Sequence, residues 1–77
     1  MDTKIFEFND LQVWDRGGRY FVRYDAGAHQ VVVREDEISE AEAREAAKGK
    51  DEALKMLFAL RKRLIQSRVD PYVPNIE

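Results

Sequence analysis

Apolar residues alternate with polar ones from Lys4 to Arg34, and β-branched and aromatic side chains dominate the alternation, the pattern of strands with one buried face. Three dipeptides divide this segment. Gly17-Gly18 between Arg16 and Arg19 is the strongest hairpin signal, because both glycines can take positive φ. Ala26-Gly27 and Asn9-Asp10 are weaker signals of the same kind, and Ile5–Phe8 reads either as a separate strand or as a bent continuation of the next. Centring hairpins on these dipeptides pairs Phe8 with Leu11, Val13 with Val22, and Val22 with Val31. Phe6, Phe8, Leu11, Val13, Tyr20, Val22, Tyr24, Val31 and Val33 then share a core face. Ile5, Trp14, Phe21 and Val32 form a row on the opposite face, flanked by Arg16, Arg19, Arg23 and Arg34. A slip of one residue in any strand would exchange its faces.

The apolar period changes after this segment. Ser39 and Glu42 make a capping box with Ile38 and Ala43 as its hydrophobic staple, which predicts a helix over 39–48 that ends at Gly49. Its inner side, Ala43, Ala46 and Ala47, is small enough for close approach. Asp51 is the expected N-cap of a second helix over 51–67. Ala53, Leu54, Leu57, Phe58, Leu60, Leu64 and Ile65 give that helix a broad apolar stripe, opposite Glu52, Lys55, Ala59, Lys62 and Gln66. Asp70-Pro71 closes it, since proline disfavours αR at the preceding residue. The tail over 70–77 holds Tyr72, Val73 and Ile76, apolar enough that part of it is expected to dock. The predicted architecture is α+β: an antiparallel meander of three to four strands over 4–34, followed by a two-helix hairpin packed on one face, all in one domain.

Composition narrows the function. The 77 residues are 44% hydrophobic and 36% charged, which suits a small folded domain rather than disorder. There is no cysteine, so disulfides and thiolate metal sites are excluded, in keeping with a reducing compartment. No apolar run reaches the length of a membrane span and the N-terminus has no signal-peptide pattern, so a soluble, cytoplasmic protein without membrane partners is expected. The net charge of −2 exerts no global pull on nucleic acid. Its distribution is uneven: Glu35, Asp36, Glu37, Glu40, Glu42 and Glu45 form an acidic stretch, and Lys55, Arg61, Lys62, Arg63 and Arg68 a basic one. Mutual attraction across the helical hairpin would account for both.

Candidate chemistry is sparse. The single histidine, His29, falls at a hairpin edge without a neighbouring nucleophile or metal-ligand spacing. Glu35-Asp36-Glu37 lacks the glycine and alternating oxygens of a calcium loop and reads as a solvated strand-to-helix connection. Gly17-Gly18 opens no helix and is a turn, not a phosphate loop. No catalytic residue, metal ligand or cofactor is therefore assigned. Arg61 falls inside the apolar stripe, where it must snorkel or find a carboxylate such as an acid of residues 35–45 or the chain terminus, the alternative being that it grips an external acidic group. The row Ile5, Trp14, Phe21 and Val32 admits three explanations: cover by the tail, an interface with a protein or a second copy, or stacking of nucleic-acid bases. With Arg16, Arg19, Arg23 and Arg34 around it, the leading expectation is an interface for another protein with an acidic surface. The function expected on these grounds is a non-enzymatic binding module, a regulator or inhibitor of a larger assembly, as in phage and mobile-element accessory proteins. An RNA- or DNA-associated role for the arginine-flanked aromatics is the alternative.

Overall fold

A computed structural model describes residues 2–25 and 32–70. The elements are β1 (Asp2–Phe8), β2 (Leu11–Arg16), β3 (Arg19–Asp25), β4 (Val33–Ile38), α1 (Glu40–Ala46) and α2 (Lys50–Gln66). The strands form one four-stranded antiparallel sheet in the order β1-β2-β3-β4, so the fold is α+β, as the hydrophobic pattern predicts. His29, Val31, the Ala26-Gly27 turn and the tail residues Tyr72, Val73 and Ile76 lie outside the described residues.

Backbone chemistry sets the first two turns. Gly17 and Gly18 take φ of 65° and 89°, and a Cβ at either position would meet nothing within 4 Å. Backbone conformation rather than crowding reserves this turn for glycine, and the pairing Arg16↔Arg19 closes it tightly. Asn9, at φ 51°, makes the turn between β1 and β2, so Ile5–Phe8 belongs to a strand of its own. Asparagine tolerates this left-handed conformation better than most residues.

The β2–β3 register matches the expected one, with Val13↔Val22 and Trp14↔Phe21. The other two ladders depart from it. In β1 the expected pairing holds for Phe6↔Val13 and Phe8↔Leu11, but a bulge between Lys4 and Phe6 puts Lys4, not Ile5, opposite Trp14. The extra residue keeps Phe6 on the core side while turning Lys4 and Asp2 toward the outside. In β4 the difference is larger: Val22 faces Asp36 rather than Val31, and Phe21 faces Glu37 rather than Val32. This odd-numbered shift exchanges the faces of the strand. Val32 joins the core, and Arg34 turns inward with 2% of its surface exposed. Glu35-Asp36-Glu37 is the middle of β4, not a solvated connection.

The first helix begins as its capping box predicts, whereas the second begins at Lys50 with Gly49, not Asp51, as its N-cap. Ser39 caps α1: its Oγ accepts from the Glu42 N–H at 3.1 Å, and Glu42 Oε1 accepts from the Ser39 N–H at 2.9 Å. Gly49, expected to end the first helix, donates to Ala46 and also serves as N-cap of α2, so Asp51 lies within the first turn. There its charge still complements the helix dipole. α2 stops before Asp70-Pro71. Arg68 adopts φ 63° and donates to Ile65 at 3.0 Å while Val69 donates to Leu64 at 2.8 Å, a Schellman motif without glycine. Against the inner sheet face, Ala43, Ala46, Ala53, Met56, Leu57 and Leu60 complete a core with Leu11, Val13, Val22, Tyr24, Val32 and Ile38. The alanines of α1 permit that approach, although Ala47 is exposed.

Candidate protein-docking surfaces

Alternation along β2, β3 and β4 brings Trp14, Arg16, Arg19, Phe21, Arg23, Glu35 and Glu37 to the outer face of the sheet. The arginines expected to face a partner are largely engaged by the chain itself. Arg16 hydrogen-bonds Glu35, reaches Asp2 at 3.4 Å, and lies 5.5 Å from the Trp14 ring centre and 5.3 Å from that of Phe21. Arg19 grips Glu37 through two bonds of 2.6 and 2.9 Å and stacks 5.6 Å from the Phe21 centroid. These guanidinium–carboxylate bonds hold the Glu37 carboxyl below its ordinary pKa and raise those of both arginines. The Trp14 ring donates to Gln12 at 3.0 Å, and Gln12 donates to Glu7, which Lys4 also grips. Trp14 and Phe21 are consequently half-buried under a lattice of their own neighbours. Arg23 remains exposed beside Gln12 and Glu35.

Of the residues expected to form one binding row, the structure brings Trp14, Arg16, Arg19, Phe21 and Arg23 together. Ile5 sits at the β1 bulge, out of register with Trp14. Val32 and Arg34 belong to the opposite side, because the β4 register is set by polar partners that an apolar pattern does not count. Arg34 forks onto Asp36 with bonds of 2.9 and 3.2 Å, and Tyr24 donates to the same carboxylate at 2.7 Å. A third Arg34 bond, 3.0 Å to the Asp70 carbonyl, ties the chain beyond α2 to the sheet. Burial, reinforced by the bond to Asp36, pushes the Tyr24 hydroxyl up to about 12. One contact of the Arg61 guanidinium is the Tyr24 ring, whose centre lies 5.8 Å away.

The acidic stretch therefore has several destinations rather than one. Glu35, Asp36 and Glu37 engage Arg16, Arg34 and Arg19 within the sheet, and Glu42 of α1 crosses to Arg63 of α2 at 3.1 Å.

A second surface is exposed where the sequence pattern suggests core. Leu54, Phe58 and Ile65 retain 42%, 69% and 57% of their surface. Together with Val69 they are four of the five exposed large hydrophobics among the described residues, the other being Ile5. The broad stripe of α2 thus splits. Ala53, Leu57 and Leu60 enter the core, while Leu54, Phe58 and Ile65 stand beside them facing outward. Phe58 lines two hollows, one of about 360 Å³ shared with Phe8, Leu11, Tyr24 and Leu57, another of about 580 Å³ shared with Ala59, Lys62 and Ile65. The width of the apolar stripe signals this surplus: α1 has only seven residues and cannot cover it all.

Among the described residues, no His, Cys, Asp and Glu side chains gather in a group of three that could hold a metal ion, and no helix is long and apolar enough to cross a membrane. No family model, curated protein or solved structure matches this chain.

Proposed function

We propose that this protein is a non-enzymatic binding module that acts by docking on another protein through the outward stripe of α2. The observation that carries this reading is the 69% exposure of Phe58, set between Leu54 and Ile65 on a regular helix. A phenylalanine left in water at mid-helix forgoes burial worth about 1.5–3 kcal/mol, which association with a partner recovers. Its position on a capped, core-packed helix holds the stripe in one shape, so little ordering entropy opposes binding.

The support for the α2 stripe is stronger than for the outer sheet face. Arg16 and Arg19 already carry their own carboxylates, so an acidic partner or a nucleic-acid backbone would have to displace intramolecular pairs to reach them. A role as regulator or inhibitor of a larger assembly fits a small chain whose described residues present a surface rather than an enclosed site.

The reading is tested by affinity capture from an extract of the organism that encodes the chain, comparing wild type with Phe58→Glu and with Trp14→Ala/Phe21→Ala after nuclease treatment. Circular dichroism confirms that each bait is folded. A protein retained by wild type and lost by Phe58→Glu supports the α2 site. Retention by Phe58→Glu with loss from the sheet variant moves the interface to the sheet. Capture abolished by nuclease in every bait replaces the protein partner with a nucleic acid.

A further inference from the structure

Positions 53, 57, 60 and 64 of α2 carry the inward seam, and positions 54, 58, 61 and 65 repeat the same four-three-four spacing one residue later. At 3.6 residues per turn, Leu54, Phe58 and Ile65 fall within about 40° of one another and span about 16 Å of helix. This is the narrow seam by which one helix packs on another, not the broad apolar face of a helix lying in a membrane surface. One border of the seam is basic, where helical phase places Lys55 and Lys62, and Asp51 is the acidic residue at its N-terminal end. Among the described residues Lys55 and Lys62 enter no ion pair, whereas Glu40, Glu42 and Glu45 of α1 are taken by Arg44, Arg63 and Lys48.

Resting on the protein-binding reading above, we infer that the outward seam of α2 receives an amphipathic helix of a partner protein whose apolar edge is bordered by aspartate and glutamate. Leu54, Phe58 and Ile65 supply the apolar contact, and Lys55 and Lys62 select acidic borders and reject basic ones. A second copy of this chain suits the seam less well. Laid antiparallel with Leu54 over Ile65, it sets Lys55 beside Lys62 of the second copy and so opposes like charges.

The test uses the full chain and two synthetic helical peptides that share a leucine seam, one bordered by glutamate and one by lysine, with binding read by fluorescence anisotropy. The glutamate peptide should bind about tenfold or more tightly than the lysine peptide at low salt, with the difference shrinking as salt screens it. Phe58→Ala should abolish binding of both, and Lys55→Glu/Lys62→Glu should reverse the preference. Equal binding of the two peptides, lost in Phe58→Ala, overturns the charge selection and leaves the docking reading standing. Binding of neither peptide overturns the inference. Sedimentation of the wild type as a dimer that Phe58→Glu dissociates assigns the seam to a second copy. Peptide binding seen only in a variant ending at Asp70 assigns it to the chain's own tail. Phe58-dependent association with phosphatidylserine–phosphatidylcholine vesicles in place of peptide assigns it to lipid. Each of these outcomes overturns the acidic helix as occupant.

Discussion

The outer sheet face and the outward stripe of α2 are built from the same residue types, aromatic or aliphatic side chains among arginines and lysines, yet they differ in what those charges do. On the sheet, Arg16 and Arg19 lie over Trp14 and Phe21 and are held there by Glu35 and Glu37. Strand pairing sets Glu37 opposite Phe21 and Glu35 opposite Arg23, within reach of Arg19 and Arg16, and the aromatics are half-covered without help from another molecule. On α2, Phe58 has no such roof, and Lys55 and Lys62 stand beside it outside any ion pair among the described residues. An aromatic residue flanked by positive charge is thus no indicator of a binding surface by itself. What separates the two regions is whether the chain supplies the counter-charges and the cover.

The sharpest way to break this comparison lies within α2. Leu57 and Phe58 are neighbours, 7% and 69% exposed. Leu57→Ala should cost about 2–5 kcal/mol through lost burial and a residual cavity. Phe58→Ala should stay within about 0.5 kcal/mol, as for surface substitutions. Urea denaturation measures both, and a comparable loss from Phe58→Ala would show that the stripe is structural after all.

A second test concerns the buried cluster behind the sheet, with pH as the variable. Tyr24 has its pKa raised to about 12 by burial and by Asp36, above the value of about 10 for an exposed tyrosine. Folding therefore disfavours the tyrosinate. The stabilisation is present in full below about pH 10 and is lost as pH rises through about 12, a change of about 2–3 kcal/mol. Stability followed across pH 9–12 in wild type and Tyr24→Phe should show a steeper alkaline loss in the wild type. Parallel curves would mean that Tyr24 ionises in the native state as freely as on the surface.

The smallest effect tests the roof itself. Arg16→Ala removes a guanidinium from two rings and leaves Glu35 without that partner, and should cost about 1 kcal/mol. Lys62→Ala should change stability by less than about 0.5 kcal/mol. Thermal melts of the pair compare an arginine engaged by its own fold with a lysine outside any described ion pair. Equal shifts would erase the distinction between the two surfaces.

Local chemistry made much of the molecule legible in the sequence: the Gly17-Gly18 turn, the β2–β3 register it enforces, the Ser39–Glu42 capping box and the helical period of α2 all depend on residues close along the chain. The register of β4 and the fate of the α2 stripe do not. Counting apolar alternation favours Val31 and Val33 as the inward pair. The structure instead turns Arg34 and Asp36 inward with Tyr24 and sets Glu35 and Glu37 toward Arg16 and Arg19, a register that buries Val32 and Ile38 and satisfies ion pairs on both faces. Likewise, the spacing of Leu54, Phe58 and Ile65 marks them as apolar and aligned, but a helix carries no record of how much neighbouring surface exists to cover it. Periodicity decided which residues share a face. Only the tertiary structure decided which face had a partner, since that depends on where distant charges meet and on how far the short α1 reaches.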